Sequence, residues 1–169
     1  PASATLAALL ALALAVYAFN AWAGYFDDAH DPKFSDRLCT PGGGRVTLLA
    51  TAVGGSAAAI LLVAAWHPEI LPQIVALAAL WTAYSLPHGL KGVPFAGAAV
   101  HLVSGVLIFL IPYQLGRPLD PRGLVLAAIF ALAFTSGHAN HEVIDCPADR
   151  RAGVRTTAAA IGCRRAHLI

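Results

Sequence analysis

Glu142, Asp145 and Asp149 are spaced by three and four residues, so a helical backbone sets all three carboxylates on one face. A row of hard oxygen donors of that kind attracts divalent cations. A second acidic group, Asp27, Asp28 and Asp31, stands in the run Gly-Tyr-Phe-Asp-Asp-Ala-His-Asp. Like the first, it directly follows a long apolar segment, although the two lie far apart in the chain. Two acid clusters at equivalent places point to one shared task.

The elements that must position them are membrane helices. Of the 169 residues, 58% are hydrophobic and only 12% charged, a balance that excludes an ordinary soluble domain. Positions 4–26, 46–66, 70–86, 94–113 and 121–139 are almost uncharged. Each is about 17 to 23 residues long, enough for a helix to cross a ~30 Å hydrocarbon core. The expected fold is therefore an all-α polytopic transmembrane bundle with about five spans, a single membrane domain over residues 1–169. The first span has no basic stretch before it and runs straight into Tyr-Phe-Asp-Asp, so it reads as a true span and not as a cleaved signal. With five spans, Lys33, Arg37, Arg45, Lys91, Arg150, Arg151, Arg155, Arg164 and Arg165 share one side, and only Arg117 and Arg122 lie on the other. That asymmetry places both acid clusters in the cytoplasm.

Other polar residues carry two readings each. Asn20 stands seven residues before Asp27, on the same helical face, and reads either as an interhelical hydrogen-bonding group or as part of the site. Tyr84 and Lys91, in the turn after the third span, suit an interfacial belt and a positive-inside anchor. His101 and His138 lie in or near the membrane and read as structural. The small residues Gly54, Gly55 and Ser56 permit close helix packing. Cys39, Cys146 and Cys163 show no metal-binding spacing, and their odd number does not suggest a disulfide framework. Pro147, between Asp145 and Asp149, disfavours helical dihedrals at Cys146, so the two carboxylates either share a continuous helical face or meet across a kink.

The form Glu142-x-x-Asp145-x-x-x-Asp149-Arg-x-x-Gly153-x-x-Thr156 resembles the second Asp-rich motif of the UbiA-type intramembrane prenyltransferases. Tyr84-Ser-x-Pro-x-x-x-Lys91 is similar to the loop between that family's two motifs. The order of helices, acid clusters and lysine loop agrees over nearly the whole chain. The first cluster departs from the family form, with Ala23 and Gly24 standing where Asn and the first Asp would be. The family's nine helices imply that this chain corresponds to helices two to six of a longer protein.

The resemblance implies magnesium-dependent transfer of a prenyl group from an isoprenoid diphosphate to an aromatic or other lipophilic acceptor within the membrane. Nucleic acid is not among the partners expected. Asp27 with Asp31, and Asp145 with Asp149, would hold Mg2+ against the diphosphate, with Glu142 as a further ligand and Asp28 or Asn20 able to compensate in the first motif. Lys91, Arg37, Arg45 and Arg150 would contact phosphate oxygens, and Tyr84 would stabilise the allylic cation. Two alternatives remain: a membrane metalloenzyme built on His138, His141 and Glu142, and a homologue that binds prenyl lipid without turnover.

Overall fold

A computed structural model describes residues 2–24, 44–86 and 89–168. All regular structure among them is helical, and it divides into two compact units, residues 1–87 and 88–169. The acids Asp27, Asp28 and Asp31, together with Arg37, lie outside the described residues.

In the first unit, α1 (Ala2–Ala23) and α2 (Gly44–Trp66) form an apolar pair, joined by α3 (Leu71–Ser85). Thr5, Ala8, Leu12 and Ala15 make the buried stripe of α1, recurring every three or four residues. Leu6, Leu10, Leu14 and Tyr17 form an exposed stripe beside it. Water would penalise so much exposed apolar surface, whereas lipid accepts it. Gly55 lets α2 approach closely, because a Cβ there would stand 2.8 Å from the Ala11 carbonyl oxygen and 3.1 Å from the Ala15 Cβ. Its neighbour Gly54 meets nothing within 4 Å, so only one of the paired glycines is used for packing.

The third apolar segment is shorter than its composition predicts. Helix α2 ends at Trp66, a 3-10 turn occupies Pro68–Ile70, and α3 then runs for only 15 residues, about 22 Å at 1.5 Å per residue. Pro68 and Pro72 stand at the starts of the 3-10 turn and of α3, where a missing N–H costs least. Among the described residues, four helices are long and apolar enough to cross a membrane: α1, α2, and in the second unit α4 (Ala96–Gly116) and α5 (Pro121–Ala152).

In the second unit, α4 and α5 form a hairpin. Its turn is closed by Asp120, whose side chain caps α5 by accepting from the Gly123 N–H at 2.7 Å and from the Tyr113 hydroxyl at 2.7 Å. Those two donors, the backbone one foremost, hold the Asp120 carboxyl below its ordinary value of 3.8. A depressed carboxylate stabilises the fold above its unfolded pKa, and the contribution disappears as pH falls through the folded one. Asp120→Ala is therefore expected to lower the melting temperature at neutral pH, with the gap from the wild type closing well below pH 3.8. Thermal unfolding in detergent at the two pH values measures this.

Helix α5 has 32 residues, about 48 Å in length, and exceeds a ~30 Å hydrocarbon core by several turns. Its C-terminal turns carry the second acid cluster. They are covered by two short helices, α6 (Thr157–Ile161) and α7 (Cys163–Ala166), through a small core of Cys146, Ala158 and Ala166.

Candidate functional site

Helix α5 continues through Pro147, so both carboxylates belong to one uninterrupted helix. Asp145 and Asp149 stand one turn apart along one helical face, both half-buried. Lys91 lies in the 3-10 turn Leu90–Gly92, four residues before Phe95, whose N–H donates to Thr157 Oγ1 at 3.0 Å, next to the Thr156 that bonds Asp149. The lysine loop and the second acid cluster thus share the same end of the second unit.

Gly153 ends α5 in the left-handed conformation, with φ 75°, the usual role of glycine after a helix. The Val154 N–H then donates to the Asp149 carbonyl at 2.9 Å, and the chain turns back over the helix. This return brings Thr156 to Asp149: its hydroxyl donates to Oδ2 at 3.0 Å. The same hydroxyl oxygen accepts from the Ala159 N–H at 3.4 Å and caps α6.

One turn deeper, Glu142 is 9% exposed. Its Oε2 accepts from the Ala158 N–H at 3.2 Å, and its Oε1 lies 3.1 Å from His138 Nε2. The His138–Glu142 contact is an ion pair when the imidazole is protonated. With both oxygens engaged by protein groups, Glu142 supports the row, while Asp149 accepts from Thr156 through Oδ2. His101 stacks on His138 with ring centroids 3.6 Å apart and planes 8° from parallel. Gly97 leaves room for this group, for a Cβ there would stand 2.9 Å from His138 Nε2. The two histidines, structural by their sequence context, are joined to Glu142 in one buried cluster.

The cysteine expectation is corrected by the structure. Cys146 and Cys163 form a disulfide across 17 positions, because the turn at Gly153 brings α7 back onto the fully buried Cys146. Counting cysteines could not reveal a pairing that depends on the chain reversal.

The remaining candidates occupy other surroundings. Asn20 Oδ1 accepts from the Ser85 hydroxyl at 3.2 Å, which ties α1 to α3. Tyr84 is buried and meets Trp81 edge-on, with centroids 5.6 Å apart. The Arg45 guanidinium lies over the Trp22 ring at 5.5 Å. Arg150 is exposed on the last turns of α5.

Among the described residues, no group of three or more His, Cys, Asp and Glu side chains is arranged to hold a metal by itself. A zinc or iron centre on His138, His141 and Glu142 would need such a group. Magnesium asks less of the protein, as one or two carboxylates suffice when substrate phosphates complete its shell. Asp145 and Asp149 fit that requirement: they are hard donors at helical spacing, and Asp149 is held through only one of its oxygens.

Comparisons with curated proteins and with solved structures found no match. The model of the UbiA prenyltransferase family matches residues 1–169. Four membrane-length apolar helices and the acid row of α5 accompany that match, and the chain belongs to the UbiA prenyltransferase family.

Proposed function

We propose that the protein transfers a prenyl group from an isoprenoid diphosphate to an aromatic or other lipophilic acceptor, with Asp145 and Asp149 holding Mg2+ and Lys91 contacting phosphate. The observation that supports this reading is that Thr156 and Thr157 bring the Asp149 carboxylate and the turn holding Lys91 and Phe95 to one end of the second unit. In the reaction the allylic C1–O bond breaks and its electron pair leaves with the diphosphate. A nucleophilic atom of the acceptor bonds to C1 and gives up a proton. Magnesium supplies the positive charge that makes diphosphate a competent leaving group. Lys91 adds a point charge on the phosphate oxygens. Asp27 and Asp31 are assigned a second ion from the resemblance of their motif.

The cytoplasmic orientation is part of the same reading. Within the second unit, Lys91, Arg150, Arg151, Arg155, Arg164 and Arg165 gather at the motif end, against Arg117 and Arg122 at the α4–α5 turn. This asymmetry favours the cytoplasm for the site.

The test is turnover by the full chain in nanodiscs, with radiolabelled geranyl and geranylgeranyl diphosphates and a panel of aromatic and lipophilic acceptors. Prenylated product and free diphosphate in equal amounts, lost with EDTA and restored by magnesium, are expected. Product formed under EDTA, or restored by zinc or iron but not by magnesium, would overturn the proposal.

A further inference from the structure

Three consecutive residues at the start of α6 reach two turns of α5 and the turn before α4. Thr156 donates its hydroxyl to Asp149 Oδ2 at 3.0 Å. Thr157 Oγ1 accepts from the Phe95 N–H at 3.0 Å. The Ala158 N–H donates to Glu142 Oε2 at 3.2 Å. Helix α6 has only five residues, too short to be stable alone, so these contacts hold it in place and are in turn held by it.

The Phe95 contact bears on Lys91. Phe95 is the only non-glycine residue with positive φ among those described, at 65°, a costly conformation for an aromatic residue that persists only where its surroundings enforce it. Between Gly89 and Ala96 the backbone is cross-bonded, Gly92 N–H to the Gly89 carbonyl, Val93 to Leu90 and Ala96 to Val93, each at 3.1 Å. A fixed Phe95 therefore fixes the backbone of Lys91, and Thr157 is the side chain that fixes it. Thr156 donates to Oδ2 of Asp149 at 3.0 Å, which ties the orientation of that carboxylate to α6.

We infer that Thr156 and Thr157 are positioning residues for diphosphate recognition: Thr156 orients the Asp149 carboxylate for a divalent cation, and Thr157 sets the Lys91 turn in register with it. The inference rests on the proposed function, since it assigns both threonines to the site described there. A purely structural role for α6 predicts a loss of stability when either threonine is changed. Positioning predicts losses that separate by ligand, cation binding for Thr156 and diphosphate binding for Thr157, and that a shared loss of stability does not produce.

The experiment measures Mn2+ binding by electron paramagnetic resonance, and inorganic diphosphate binding by calorimetry, on the full chain in nanodiscs. Melting temperatures are recorded in parallel. Thr156→Val is expected to weaken Mn2+ binding about tenfold, the scale of one hydrogen bond to a charged group, while Thr156→Ser stays near the wild type. Thr157→Val is expected to weaken diphosphate binding about tenfold and to leave Mn2+ binding without diphosphate unchanged, as Lys91→Gln does. If Thr156→Val does not fold, Thr156→Gly removes the donor while retaining a tolerated helix start. Wild-type Mn2+ binding in the Thr156 variants, with binding lost in Asp149→Asn, overturns the role of Thr156 alone. Wild-type diphosphate binding in Thr157→Val, with binding lost in Lys91→Gln, overturns that of Thr157. Should Asp149→Asn and Lys91→Gln both bind like the wild type, the functional reading fails, and the inference with it.

Discussion

Asp149→Asn is expected to reduce prenyl transfer by about a hundredfold or more while leaving the melting temperature nearly unchanged. A positioned charge at a leaving diphosphate contributes several kcal/mol to the barrier, and the amide removes the negative charge that would hold the cation. Stability survives because the Asn side-chain oxygen still accepts from the Thr156 hydroxyl, which donates to Asp149 Oδ2 at 3.0 Å, and no core volume is vacated. Asp145→Asn should behave similarly. Turnover measured beside thermal unfolding separates chemistry from folding. Equal loss of both would identify these carboxylates as structural groups.

Gly105→Val is expected to have the largest effect on stability. A Cβ at position 105 would stand 2.7 Å from the Ala131 Cα and 3.1 Å from its Cβ. The nearest obstacle is backbone, which cannot rotate away, so α4 and α5 must separate along their contact. Overpacking of this kind costs about 3 kcal/mol, enough to remove much of the folded population of a marginally stable protein. Gly116→Val is the control, as nothing lies within 4 Å of a Cβ at that glycine. Unfolding in detergent should show the contrast, and similar stabilities for the two variants would mean that α4 and α5 do not pack at Gly105.

What could be read from the sequence was set by local rules. Apolar length identified α1, α2, α4 and α5, and the three-and-four spacing correctly placed Glu142, Asp145 and Asp149 on one helix. In the third apolar segment hydrophobicity did not reveal where the helix starts: a 3-10 turn fills Pro68–Ile70 and α3 has 15 residues. Pro147 left the motif geometry open, and helix α5 runs on through it. The long-range pairings were not legible. Cys146 meets Cys163, Phe95 meets Thr157 and His101 stacks on His138 only after the hairpin and the turn at Gly153 have formed. Gly153 and Thr156 were visible as motif members, but their spacing alone did not show that the first turns the chain and the second returns to Asp149.

The most direct test of the magnesium–diphosphate site is equilibrium binding of radiolabelled geranylgeranyl diphosphate to the full chain in nanodiscs, which requires no knowledge of the acceptor. Binding should be strong with magnesium, weaken at least tenfold in EDTA, and show little response to magnesium in Asp149→Asn; a tenfold change corresponds to about 1.4 kcal/mol. Equal affinity in magnesium and in EDTA, or an Asp149→Asn protein that responds to magnesium like the wild type, would contradict the assignment of the acid row on α5 as a cation site for diphosphate.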